Sequence, residues 1–237
     1  MSSSTVKTLT GNIPATTAKD AWFTTLCTHK DDADRINASR LMQVKLRVHH
    51  QGVCMSRNSH FPLQLSSESH LFEAQDKGSE ADCRELKYTC PARESLVLKE
   101  GATVILLRNL SAADGLVNGR TGVVKHIEVS KHSGKVPVVR FSNGTTAAIQ
   151  PESWNITRGG AIVATRTQLP LDLAWAFSVH KSQGMSLDYL RVSLSKCFEA
   201  GQGYVALSRA RSLGGLHVMD MVREGRGGED KGFWVVF

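Results

Sequence analysis

The stretch LDLAWAFSVHKSQGMSLDYLRVSLS, residues 171–195, joins an apolar run to a polar turn and then to a second apolar run. Its first part, 171–183, reads as a helix, and YLRVSLS, 189–195, reads as a strand. Downstream, GYVALSRARS at 203–212 reads as a helix closed by Gly214 and Gly215, and LHVMDM at 216–221 reads as a strand. Upstream, WFTTLC at 22–27 has strand composition and runs into a helix over THKDDADRINASRLM, with Thr28 and Asp31 at the spacing of a capping box. Between these flanks the pattern changes. From Leu96 to Ile156 the chain shows short β-rich runs, ATVILLRNL, GLVNGRTGVVKHIEV, KVPVVRF and TTAAIQ, separated by Asn-Gly and Ser-Gly turn signals. The simplest architecture is an α/β unit interrupted by a small all-β barrel or sandwich.

Twenty-nine Lys and Arg against 22 Asp and Glu give a net charge of +7 over 237 residues. That balance favours a polyanionic partner such as nucleic acid, with a basic solvated surface as the alternative. No apolar run approaches the roughly 20 residues that a membrane span requires, so no membrane partner is expected. The five cysteines form no C-x-x-C pair and have no histidine at zinc spacing, so they read as free thiols and no metal site is expected. The Ser/Thr-rich start lacks the arginines and apolar stripe of an organellar presequence. Residues 43–69 carry no sustained period and no acid before Glu68, which reads as a mobile basic insert.

Two motifs point to chemistry. His180, Lys181, Ser182 and Gln183 place hydrogen-bonding side chains beside Gly184, which permits close backbone approach to a ligand such as phosphate. The alternative is a solvated helix C-terminus with a glycine cap. In GYVALSRARS, a helix would turn Tyr204, Leu207 and Ala210 or Arg211 inward and leave Arg209 aimed elsewhere. A guanidinium held on a rigid element stabilises the spread charge of phosphoryl transfer and is worth about 10³–10⁵ in rate. The alternative is an arginine pair serving the helix dipole.

Residues 169–218, from LPLDLAWAF to GGLHV, resemble motifs V and VI of the Pif-type DNA helicases of superfamily one. TLCTHKDDADRINASRL, 25–41, is similar to their motif IV region, and LKEGATVILLRNLSAADGLVNGRTGVV, 98–124, to the start of the small Src-homology-like barrel inserted in their second motor lobe. The resemblance implies a second RecA-like lobe with an inserted barrel. It divides the chain into an N-terminal segment 1–20, a first lobe part 21–95 containing the insert 43–69, a barrel 96–160, a second lobe part 161–222 and a tail 223–237. It assigns Arg209 as the arginine finger and places Gly184, Gln183, Arg209, Arg211 and Gln202 toward ATP. His180, Lys181 and Ser182 would face DNA, and Arg108, Asn109 and Lys125 would be backbone contacts on the barrel.

By the same resemblance the activity is ATP-dependent, 5'-to-3' DNA unwinding in repair, recombination, telomere and mitochondrial genome maintenance, in nucleus and mitochondrion. The implied partners are single-stranded, forked or quadruplex-prone DNA and a first RecA-like lobe, with the protein acting as a monomer. ATP and Mg²⁺ would be held mainly by that first lobe, because these 237 residues contain no G-x-x-x-x-G-K-[ST] loop. The Gly134–Lys135 pair continues with Val136 and lacks both the upstream glycine and the hydroxyl. The chain alone is therefore expected to hydrolyse no ATP, since an arginine finger contributes only where the phosphate is already held. A non-catalytic module that binds single strands, or a basic domain with idle motifs, are the alternatives. If 43–69 is a mobile loop, brief trypsin digestion cuts first at Lys45, Arg47 or Arg57, and first cuts inside 96–156 would contradict both the loop and an ordered barrel.

Overall fold

The computed structural model describes residues 23–44, 68–130, 134–193 and 201–220. The segments 1–20 and 223–237 and nearly all of the insert 43–69 lie outside the described residues. Strands β1 (Thr24–Cys27), β12 (Ala176–Ser178), β13 (Leu190–Ser193) and β14 (Leu216–Asp220) form a parallel sheet in the order β12-β1-β13-β14. Helix α1 (Lys30–Gln43) packs against β1 and β12. The α/β layout expected from the flanking segments is thus present.

The expected helix over 171–183 is not formed. Leu171–Leu173 is strand β11, Ala176–Ser178 is β12, and the chain turns over 179–184. Residues 171–174 and 176–179 are all buried, so the run is covered on both sides, and periodicity cannot distinguish such a strand from a buried helix. The helix expected over 203–212 is shorter, spanning Gln202–Leu207 (α3). It stops because Leu187 takes up the following backbone: its N–H donates to the Arg209 carbonyl at 2.8 Å and its carbonyl accepts from Arg211 N–H at 2.9 Å. Tyr204 is exposed rather than inward, whereas Leu207 faces the core as expected, with Ala206 beside it and Ala210 packed against it. The capping box also fails. His29 is the N-cap residue, and the Thr28 hydroxyl lies 3.0 Å from the His29 ring nitrogen Nδ1.

The β-rich segment folds as strands β5 (Thr103–Leu106), β6 (Thr121–Ser130), β7 (Gly134–Phe141) and β8 (Thr146–Ala148). With β11 they make an antiparallel sheet in the order β11-β5-β6-β7-β8. Beside it, β2 (His70–Glu73) pairs with β4 (Ser95–Leu98). The hairpin of β9 (Glu152–Arg158) and β10 (Ala161–Gln168) pairs with β3 (Gln75–Gly78). The division placed at 160/161 falls at the tip of that hairpin. Helix α2 (Glu80–Thr89) packs on β10, and its N-cap Ser79 accepts from the Asp82 N–H. Among the described residues, no helix is long and apolar enough to cross a membrane.

Two apolar cores result, and β5 lies between them. Val104 and Leu106 join Leu98, Val124, Val139, Phe141 and Leu171 in one core, whereas Ile105 and Leu107 join Leu26, Phe177, Leu187, Leu190 and Val192 in the other. Successive strand residues face opposite sides, so a strand that serves two cores must be apolar throughout. All four β5 residues are indeed buried.

The outer edge of the parallel sheet is closed by a side chain. Asn37 of α1 is buried; its Nδ2 donates to the Ala176 carbonyl at 2.8 Å and its Oδ1 accepts from Ala176 N–H at 3.0 Å. Asn37→Ala leaves both backbone groups of Ala176 without that partner, and we expect a loss of about 2–3 kcal/mol in urea unfolding. An unchanged midpoint would show that the edge is satisfied another way.

Candidate functional site

The polar motif at 180–184 sits on the turn that leaves β12. Ser182 is fully buried, and its hydroxyl donates to the Val179 carbonyl at 2.7 Å, which tightens the turn and points the side chain inward. His180 and Gln183 are exposed. Gly184 has φ +80°, and a Cβ built there would meet nothing within 4 Å, so the backbone faces open space. A side chain would find that conformation strained although there is room for it. The four polar side chains therefore do not act together: two face solvent, one locks the turn, and Lys181 is committed elsewhere.

Lys181 Nζ donates to Asp172 Oδ2 at 3.0 Å. Asp172 has no exposed side-chain surface, and its other oxygen accepts from Arg93 Nε at 2.7 Å and from Leu173 N–H at 2.8 Å. Arg93 in turn donates to Asp34 Oδ1 of α1 at 2.6 Å. The chain Asp34–Arg93–Asp172–Lys181 ties α1, the loop before β4, β11 and the motif turn together. Burial alone would push the Arg93 guanidinium down, but the charges of Asp172 and Asp34 outweigh it and hold it above its ordinary value.

Next to this network is a cleft of about 260 Å³ edged by Lys30, Lys87, Arg93, Arg166 and Lys181. Most of that charge is already paired. Lys87 meets Glu94 at 3.3 Å, and Arg166, itself buried, grips Asp76 with Nε at 2.8 Å and Nη2 at 2.6 Å. Hydrogen bonding to Asp76 first, against the opposing effect of burial, holds the Arg166 guanidinium above its ordinary value. Cys90 lines the same cleft, and burial pushes its thiol up, which keeps it protonated and unreactive.

Arg209 lies just past α3. Its Nε donates to the Val205 carbonyl at 3.1 Å and its Nη2 to Ser208 Oγ at 2.9 Å, so the guanidinium is oriented by its own helix. The backbone pairing with Leu187 brings this arginine segment against the strand that follows the Gly184 turn. Gln202 is buried at the first position of α3. Arg211 is half-exposed and lies 3.3 Å from Asp188 Oδ1. An oriented guanidinium and an open glycine turn, on segments linked through the Leu187 backbone, are each chemically suited to a phosphate group. Among the described residues no cluster of His, Cys, Asp or Glu could hold a metal ion.

The residues assigned to the barrel are not gathered at this place. Arg108 donates to the Ser153 carbonyl at 2.7 Å and stacks 5.9 Å from the centre of the Trp154 ring. Asn109 Oδ1 accepts from Asn118 N–H at 2.7 Å and so supports a local turn. Lys125 is exposed at the irregularity between Val124 and His126 in β6. Sequence reasoning missed Asp172, Arg93 and Asp188. No local signal marks them, because their partners are far along the chain; the Ser79-x-x-Asp82 pattern that starts α2 was readable.

The model of the family described as DNA helicase Pif1, 2B domain, matches residues 84–127. Over 197 residues the chain is 46% identical to the ATP-dependent DNA helicase PIF1 of Xenopus laevis, an alignment that covers 83% of this chain. The chain is homologous to the Pif1 helicases. It spans 27% of the length of that Xenopus relative. The Bacteroides sp Pif1 structure in complex with ADP-AlF4 matches with TM-score 0.65 and 27% identity, covering 94% of this chain and 46% of that one. The Bacteroides Pif1 structure with ADP-AlF3 and single-stranded DNA matches with TM-score 0.54 and 27% identity over the same shares. The sheet-rich α/β fold with its inserted β module is thus the fold of Pif1 structures.

The buried network gives a direct prediction. Asp172→Asn keeps the volume but removes the charge shared by Arg93 and Lys181. Breaking a buried pair costs about 3–5 kcal/mol; since both cations are partly exposed, we expect about 2–4 kcal/mol in guanidinium unfolding. A change below about 1 kcal/mol would reduce the network to a surface ion pair.

Proposed function

We propose that this chain is the part of a Pif1-type ATP-dependent DNA helicase that faces the nucleotide from the side opposite the phosphate loop and contacts the translocating strand. The observation that carries the reading is the backbone pairing of Leu187 with Arg209 and Arg211, which brings the segment bearing the oriented Arg209 guanidinium against the chain just past the Gly184 turn. Arg209 is the residue that stabilises charge developing on the transferred phosphoryl group. Gly184, and Gln183 beside it, let the nucleotide phosphates approach the backbone. His180 is an exposed residue of the turn that contacts a DNA strand, whereas Lys181 and Ser182 hold the turn in shape. Arg211 and Gln202 act on nucleotide only through the segment that carries Arg209. ATP supplies the phosphoryl group. The phosphate loop and the Mg²⁺ ligands belong to a first RecA-like lobe, for which these residues supply no substitute.

In this reading, hydrolysis moves the chain 5'-to-3' along single-stranded DNA, and the substrates are forked or quadruplex-prone DNA in repair, recombination, telomere and mitochondrial genome maintenance. Nucleus and mitochondrion are the matching compartments, and a monomer is the working unit. The lack of a phosphate loop in these 237 residues favours a second reading for the chain by itself: a non-catalytic binder of single strands. The two readings separate in one set of measurements. The purified chain hydrolyses no ATP and binds single-stranded DNA with an affinity that falls steeply as salt rises. In a polypeptide that joins this sequence to a phosphate-loop lobe, Arg209→Ala lowers DNA-stimulated ATP hydrolysis by about 10³-fold or more without loss of DNA binding. DNA-dependent hydrolysis by the chain alone, or an Arg209→Ala variant of the joined protein with full activity, would overturn the assignment.

A further inference from the structure

The β module and the arginine-bearing segment meet at one carboxylate. Asp188 Oδ2 accepts from Arg120 Nη1 at 2.6 Å and from Ser142 Oγ at 3.0 Å, both on the five-stranded sheet side, while Oδ1 lies 3.3 Å from Arg211 Nη1. These groups border a cavity of about 360 Å³, so ion pairs rather than apolar packing join the two units here. The backbone around Asp188 is held on both sides. A Cβ on Gly119 would come within 2.5 Å of the Ser186 carbonyl oxygen, and one on Gly215 would collide with the Asp188 carbonyl oxygen. Residues 186–188 therefore pass through a slot that only glycine walls leave open. Leu187, inside that slot, carries the backbone bonds to Arg209 and Arg211.

We infer that Asp188 is a positioning residue that ties the Arg209 segment to the β module, with Arg120 as the fixed end of the tie and Arg211 as the releasable one. The difference in exposure gives that order: 13% for the Arg120 side chain and 16% for Asp188, against 46% for Arg211. A guanidinium that is nearly buried loses its partner at high cost, whereas a half-exposed one exchanges its partner for water readily. One carboxylate also neutralises two guanidinium groups. Removing it leaves Arg120 and Arg211 repelling each other across the cavity, and the strain falls on the Leu187 pairing. Movement of the β module is thereby felt at Arg209 without any contact between the two. The inference rests on the reading of Arg209 given above only for its functional meaning; the tie itself is a property of this chain.

The test is amide hydrogen exchange on the 237-residue chain with substitutions on the β module. Arg120→Gln is expected to speed exchange at Leu187 and Arg211 by about 10-fold, the size of an ordinary coupling between contacting residues. Asp188→Asn should do the same, and the double variant should go no further. Arg120→Lys should restore most of the protection. Amides of β7 serve as the control, since their exchange reports loss of the whole module. If Arg120→Gln also loosens β7, Arg211→Gln decides the matter: it should release the Arg211 amide while leaving Gly119 and Arg120 protected. Unchanged exchange at Leu187 and Arg211 in Arg120→Gln, full additivity of the two substitutions, or no effect of Arg211→Gln would overturn the tie. In the polypeptide joined to a phosphate-loop lobe, Arg120→Gln should lower kcat for ATP without raising KM. Because exchange is read without ATP, a fully active Arg209→Ala variant of the joined protein would sink the function and leave the tie standing, whereas unchanged exchange in Arg120→Gln would sink the tie alone.

Discussion

A strand shared by two cores is the constraint on which this molecule depends. β5 and the residue after it present Val104 and Leu106 to the β module and Ile105 and Leu107 to the parallel sheet, and a shift of one residue would exchange the two sets. Neither core is complete without the other. The β module is therefore not a bead on a linker: the edge strand beside β5, β11, arrives only after the chain has made the β9–β10 hairpin, and it leads straight into β12. Whatever holds β11 in place also sets the starting point of the 179–184 turn.

Pairing with β5 and burial of Leu171 hold β11 there, and charge fixes its setting. Asp172 projects from β11 into a site without solvent, where an isolated carboxylate would be strongly disfavoured, and it is stabilised there by Arg93 and Lys181. Such a pair contributes little net stability compared with an apolar replacement, but it accepts only one arrangement of its partners. The geometry of the turn is thus specified by charge, while its burial is specified by Phe177, Val179 and Leu187 in the surrounding core. The same division of labour recurs on the other side of the turn, where Asp188 stands between the two units.

Much of the fold was legible because short apolar strands bounded by turn residues leave a clear trace: TTLC, YLRVS, LHVMD and the runs of the β module all fall on strands. The helix placed over 171–183 failed where that trace is ambiguous, since LDL and AFS are buried on both faces and carry no period of two. The helix expected at 203–212 forms but ends early, for a different reason. Its composition suits a helix, but Leu187, far back in the chain, offers backbone partners that the local sequence does not reveal. For the proposed site, resemblance pointed to Arg209 and the Gly184 turn. It did not reveal that Lys181 faces a buried Asp172, because a pairing between elements is written in three dimensions and leaves no spacing to read.

The parallel sheet has a temporal consequence. Thr25 of β1 pairs with Ala176 on one side and Arg191 on the other, so β1 has no partner in its sheet until about 150 further residues have been made. At usual elongation rates that interval is on the order of ten seconds. The antiparallel pairs β5–β6–β7–β8 lie between, built from neighbouring residues, and have all they need for closure much earlier. Synthesis thus delivers the β5–β8 pairs before their β11 edge, while β1 waits for its later partners. A defect that slows the late strands would be felt as loss of protein in the cell before any loss of specific activity.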